Sequence, residues 1–154
     1  MLHIVLFQPE IPPNTGNIIR LCANTGMALH LIEPLGFTLD DKRMRRAGLD
    51  YHEWARVQLH GDFESFLEQV RPNACYALST KGHRHYHQVS YQPGDAIVFG
   101  PETRGLPQWL REHAAVTGCI RIPMQGTSRS LNLSNAAAIV LYEAWRQLDF
   151  AGAQ

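Results

Sequence analysis

Cysteine is scarce: the 154 residues hold three, Cys22, Cys75 and Cys119, with no C-x-x-C pair among them. That is too few for a disulfide framework. Each stands in an apolar setting, which reads as buried, reduced thiols of a cytoplasmic protein, and none carries the local signature of a nucleophile. Net charge is absent as well, because 14 Lys and Arg balance 14 Asp and Glu. The balance excludes a generic polybasic nucleic-acid binder and leaves only local basic patches. No apolar run approaches the roughly 18 residues of a membrane span. The N-terminus, MLHIVLFQPE, has neither a basic n-region nor a small-residue cleavage site, so it reads as a first strand and not as a signal peptide. With 45% hydrophobic and 18% charged residues the chain is neither disordered nor fibrous. Its length predicts one domain over 1–154, with a core that needs no metal or disulfide.

What is present is an alternation of short apolar runs and helical patterns. Strands are expected at Leu2–Phe7, Met27–Glu33, Arg56–His60, Cys75–Ser79, Ala96–Phe99 and Cys119–Ile122. Helices are expected at Thr15–Thr25, capped by Asn14 or Thr15 and stopped at Gly26, and at Asp40–Ala47, Asp62–Val70 and Leu133–Leu148. This order predicts an α/β fold with a mostly parallel sheet and helices on both faces. In such sheets the ligand sits beyond the carboxyl ends of the strands.

Three loops there stand out. The first, QPEIPPNTGNIIR, lacks GxGxxG, and its prolines fix the backbone, so an ordinary Rossmann nucleotide site is not expected. It places Asn14, Asn17 and Arg20 at a helix start, where a cation opposes the macrodipole. Arg20 is therefore either solvated or a contact for an anion. The second, FGPETRGLP, has Gly100 and Gly105, which permit positive φ and close ligand approach, around Glu102, an acceptor for hydroxyl or amine donors. A plain tight loop would use the same residues. The third, IPMQGTSRSLNLSNA, packs Thr127, Ser128, Ser130, Asn132, Ser134 and Asn135 ahead of an apolar helix. That density exceeds what one N-cap needs and favours a ligand loop.

NTGNIIR, FGPETRGLP and IPMxxxSRSLNLSNA, in that order, resemble the three motifs of the SPOUT-class RNA 2′-O-ribose methyltransferases. The likeness runs from Met1 to about Leu148 and is nearest to members acting on the wobble position of leucine tRNAs. It implies a C-terminal trefoil knot, which pattern-reading alone would not propose. It implies S-adenosyl-L-methionine as cofactor, held by the loops carrying Leu78, Gly100, Ile122, Met124, Ser130 and Leu131. Asn14, Arg20, Glu102 and Asn132 would form the catalytic set, with Lys81, Arg129 and Tyr142 touching RNA. The implied partners are a tRNA anticodon arm and a second copy of the chain, with no metal and no membrane. Alternatives are the same transfer on another RNA, or a silent RNA-binding module of the same fold.

Methyl transfer to a ribose hydroxyl needs in-line alignment and water exclusion more than an added charge. A guanidinium stays protonated above pH 12, so Arg20 is read as holding a phosphate and orienting the hydroxyl, with solvent taking the proton. His83, His85 and His87 alternate as a metal site would, but no carboxylate or cysteine is near, and an exposed loop is expected. Lys42, Arg43, Arg45 and Arg46, offset by Asp40 and Asp41, read as a solvated helix face that an RNA enzyme could turn to phosphate. The last helix carries two apolar stripes. Leu133, Ala137, Val140, Leu141, Ala144 and Leu148 form one; Ala138, Ile139, Tyr142 and Trp145 form the other. One stripe suffices for a monomer, so the second predicts a homodimer, the alternative being a helix buried wholly within one chain.

Overall fold

In the computed structural model, which describes residues 1–126 and 130–154, the apolar runs become one seven-stranded sheet. The strands are β1 (His3–Phe7), β2 (Ala28–Ile32), β3 (Gln58–His60), β4 (Cys75–Leu78), β5 (Arg84–His85), β6 (Ala96–Phe99) and β7 (Gly118–Arg121). Their order is β3-β2-β1-β6-β4-β7-β5, and every pairing is parallel. Both faces are buried, which is why the central strands read as continuous apolar runs. Alternation then sorts the side chains. Ile4, Leu6, Tyr76, Ile97 and Phe99 enter a core with α1 (Pro12–Thr25) and α6 (Leu133–Gln147). Val5, Phe7, Cys75, Ala77, Ala96 and Val98 enter another with α4 (Phe63–Val70) and α5 (Gln108–Arg111). Ile4 is 0% exposed, and truncating such a residue to Ala costs about 2–5 kcal/mol.

The helix ends show where local rules hold. Asp40 and Asp62 cap α2 (Asp41–Arg46) and α4, accepting from the amides of Arg43 and Ser65. Gly26, at φ 74°, ends α1 in the left-handed conformation. The start of α1 differs from expectation. Its cap is Ile11, with Pro12 and Pro13 in the first turn, and Asn14 and Thr15 are buried inside the helix. Proline has fixed φ and no N–H to leave unpaired, so a helix can open on it without a side-chain cap. Arg20 consequently lies midway along α1 and not at its N-terminus, so the expected macrodipole penalty does not arise. Three elements were not anticipated: α3 (Tyr51–Trp54), α5 and β5. The last corrects the histidine loop, since His85 lies in an edge strand and Tyr86–Gln88 forms a 3-10 turn. Cys119 is only half-buried, unlike Cys22 and Cys75.

β7 lies between β4 and β5, which are joined by residues 79–83 alone. That connection passes over β7: the Ser79 amide donates to the Ile120 carbonyl at 2.9 Å and the His83 amide to Cys119 at 3.2 Å. A Cβ on Gly82 would lie 2.5 Å from the Ile120 carbonyl carbon. Only glycine allows the backbones this close. No helix among the described residues is long and apolar enough to cross a membrane.

Candidate active site

The loops leaving β1, β4, β6 and β7 converge on a cavity of about 520 Å³, at the carboxyl ends of the strands as the topology requires. All six expected cofactor residues line it: Leu78, Gly100, Ile122, Met124, Ser130 and Leu131. Asn14, Glu102, Asn132 and Lys81 line it too. The third loop is described on both sides of residues 127–129, so Thr127, Ser128 and Arg129, an expected RNA contact, lie outside the described residues.

Gly100 is a backbone pivot of the second loop. A Cβ there would fall 2.6 Å from the Gly105 carbonyl carbon and collide with the Leu106 amide. The expected positive φ belongs to Gly105, at 68°, and not to Gly100. Gly100 is required by the tight return of its own loop, which corrects the stated reason while keeping the residue at the cavity wall.

Glu102 is held by the first loop. Its carboxylate accepts the amides of Glu10 at 2.8 Å and Ile11 at 2.7 Å, and the Asn14 side-chain amide at 3.3 Å. Asn14, 6% exposed, accepts in turn from Asn132 Nδ2 at 3.0 Å. Asn132 Oδ1 caps α6 through the Ser134 and Asn135 amides and takes the Ser134 hydroxyl at 2.6 Å. Three motif residues far apart in sequence thus form one relay along the cavity edge. Glu102 acts there as a structural acceptor that fixes Asn14, its donors being two backbone amides and the Asn14 side chain.

A reciprocal clasp, missed from sequence, lies beside it. Glu10 accepts the Thr103 amide at 2.9 Å and hydroxyl at 2.7 Å, and Arg104 Nε stands 3.8 Å away. The Thr103 amide and hydroxyl hold the Glu10 carboxyl below the usual carboxylate range. The only sequence signal was the pair of carboxylates, one in each loop.

Arg20 is not at this cavity. It lines a separate groove beside α2, half-exposed, with Nε on Glu53 Oε2 at 3.1 Å and Nη2 on the Gly48 carbonyl. The Glu53 hydrogen bond and charge raise its pKa above the ordinary guanidinium value, so it is no base. Glu53 is itself placed by the start of α3, where Oε1 accepts the Asp50 amide at 2.8 Å. The D-x-x-E spacing of Asp50 and Glu53 is a helix-start signature and the one local signal that could have exposed this partner.

Tyr142 also lies apart. It is 45% exposed on α6, its ring 5.6 Å from that of Trp145. Trp145, assigned by pattern to an outer stripe, is 8% exposed and donates Nε1–H to the Ala151 carbonyl at 3.0 Å. The C-terminal turn folds back and takes Trp145 into this chain's own core, leaving Ile139 and Tyr142 as the open strip. Burial pushes the thiols of Cys22 and Cys75 up to about 12, far from a nucleophile's range. Among the described residues no group of three or more His, Cys, Asp or Glu is placed to hold a metal ion.

The cavity has the size and mixed lining of a small-molecule site. Its volume falls within that of ordinary ligand pockets. Leu78, Ile122, Met124 and Leu131 offer apolar contact, and Ser79, Thr80 and Ser130 add polar groups.

Comparison with known proteins agrees. The chain is similar to a tRNA (cytidine(34)-2'-O)-methyltransferase of Saccharophagus degradans, 62% identical over 154 residues and covering 100% of both. It is similar to a solved structure concerned with 2-OH methylation of C/U34 on tRNA, with 44% identity, a TM-score of 0.86 and 97% of each chain covered. An AdoMet-bound rRNA methyltransferase from Sinorhizobium meliloti shares 27% identity at a TM-score of 0.79, covering 96% of this chain and 56% of its own. A model of the SpoU rRNA Methylase family matches residues 1–142. With that match and a relative so alike from end to end, the chain belongs to the SpoU rRNA Methylase family.

Proposed function

We propose that this chain transfers a methyl group from S-adenosyl-L-methionine to the ribose 2′-oxygen of nucleotide 34, the wobble position, in leucine tRNAs. The carrying observation is that described residues of all three motif loops line one cavity. Leu78, Gly100, Ile122, Met124, Ser130 and Leu131 would hold the cofactor, which supplies an electrophilic methyl group. Asn14, kept in place by Glu102 and Asn132, orients the ribose, and the apolar wall excludes water from the reacting atoms. Lys81 at the rim and Arg129 are assigned to the RNA backbone. Residues 1–154 act as one domain, in the cytoplasm with its tRNA. We take the C-terminal segment to be threaded in a trefoil knot, as the resemblance implies, and the close passage of 79–83 over β7 is compatible with that.

Arg20 supports a homodimeric site. It lies outside the cavity of its own chain, while α6 leaves Ile139 and Tyr142 uncovered. A second copy packed on that strip would bring its Arg20 to this cavity, to hold a phosphate and orient the hydroxyl. Solvent takes the proton.

The test is methyl incorporation from labelled cofactor into leucine tRNA, with the modified ribose mapped. Methylation at position 34, lost at least 100-fold in Arg20→Ala with cofactor affinity within a few-fold, is expected. Cofactor binding without transfer to any tRNA would make the protein a silent binding module. Modification of another RNA would reassign the substrate.

A further inference from the structure

The chain has no net charge, yet one groove is strongly one-signed. Between α1 and α2 lies a space of about 380 Å³. Arg20, Arg43 and Arg46 line it, and no Asp or Glu among the described residues does. Phe37 and Met44 contribute apolar surface.

The acidic residues nearby are committed elsewhere. Asp40 caps α2 through the Arg43 amide at 2.8 Å, and its second oxygen stands 3.6 Å from Arg43 Nε. That exposed pair is worth little and yields readily to a stronger anion. Asp41 lies 3.8 Å from Arg45, which does not line the groove. Arg46 has no ion pair among the described residues. Arg20 spends Nε and Nη2 on Glu53 and Gly48, while Nη1 makes no hydrogen bond within the described residues. Arg20 and Arg43 keep carboxylate partners outside the lining and Arg46 has none among the described residues, so the groove surface itself stays positive and attracts an anion. Guanidinium forks match phosphate geometry, and an aromatic face such as that of Phe37 offers a base a stacking surface.

We propose that this groove binds the RNA strand flanking the methylated ribose, with phosphates on Arg43 and Arg46 and a base against Phe37. The inference rests on the proposed RNA methyl transfer, and it extends the candidate site beyond the cavity to a second contact region on α2. A single strand gives repeated anions and an unstacked base together, which the mixed lining requires.

The experiment uses the full chain and unmodified leucine tRNA, after wild-type transfer to that tRNA has been established. Arg43→Ala and Arg46→Ala should each raise the KM for tRNA about fivefold to tenfold. Each should also lower the slope of log affinity against log salt by about 0.7, the value for one single-strand phosphate. Cofactor affinity by calorimetry should stay at the wild-type value. Arg45→Ala, off the groove, should change tRNA affinity less than twofold. Unchanged KM and salt slope in both groove variants would overturn the proposal, as would an equal effect from Arg45→Ala. If Arg46→Glu instead alters sedimentation without weakening tRNA, the groove is a contact between protein copies and the proposal fails. Absence of transfer by the wild-type chain would instead reject the functional reading on which the groove rests.

Discussion

Lowering the pH should destabilise this protein through a row of histidines on the α4 face of the sheet. His3, His30 and His60 come from β1, β2 and β3. His3 Nδ1 lies 2.9 Å from His30 Nε2, and His30 Nδ1 lies 2.9 Å from His60 Nε2. Each link needs one N–H and one lone pair, so both links are satisfied when all three rings are neutral. His30 is 0% exposed; burial, then the neighbouring His3 and His60, lowers its pKa to about 3. Burial also lowers those of His3 and His60. In the unfolded chain a histidine titrates near 6.5. Between those values the unfolded state binds the extra proton, so the stability is present above about pH 6.5 and lost as pH falls towards 3. At pH 5 the loss from His30 alone is about 1.5 pH units at 1.36 kcal/mol each, or about 2 kcal/mol. For a chain of this size that lowers the thermal midpoint by about 6 °C. The assay is urea unfolding at pH 8 and pH 5, at fixed protomer concentration because dimerisation would add to stability. His30→Leu should be less stable at pH 8, yet lose about 2 kcal/mol less than wild type on going to pH 5. If both proteins lose the same amount, the row does not carry the pH dependence and the reasoning is wrong.

Gly100→Ala should lower cofactor affinity at least tenfold, because its Cβ meets the Gly105 carbonyl carbon at 2.6 Å and the second loop must move. Wild-type affinity in a folded variant would refute this. Glu102→Gln keeps the shape but leaves one acceptor oxygen for the two backbone amides of Glu10 and Ile11. A cost of about 1–2 kcal/mol in urea unfolding is expected, and no change would mean the clasp is solvent-bridged. Tyr142→Asp should sediment as a monomer and lose methyl transfer in parallel, since it places a charge on the exposed strip of α6. A monomer with wild-type turnover would remove Arg20 from a shared site.

Elements whose cause is local were legible in the sequence. Phe63 and Phe66 are the buried face of α4, as the helical period foretold, while Asp62, expected as its first residue, is its cap. The parallel sheet followed from apolar runs separated by helices. The residues around the cavity were legible because each motif directly follows a strand. What failed depended on distant partners. Nothing near Arg20 announces Glu53, and nothing near Glu102 announces the amides of Glu10 and Ile11. Trp145 fits an outer stripe until the turn at Ala151 captures it. His3, His30 and His60 are each a lone histidine in an apolar run. Only the β1, β2 and β3 registers align them.

The placement of β7 has a consequence for the growing chain. Parallel neighbours need a crossover of a dozen or more residues, and residues 79–83 are too few for β4 and β5 to pair in parallel with each other. As synthesis proceeds, the outer amides of Tyr76–Leu78 therefore stay open until Gly118–Arg121 emerge from the ribosome and fill the place between. That leaves a sticky sheet edge for the length of that delay. Release of an unfinished chain in this interval would expose a template for aggregation that the finished protein hides.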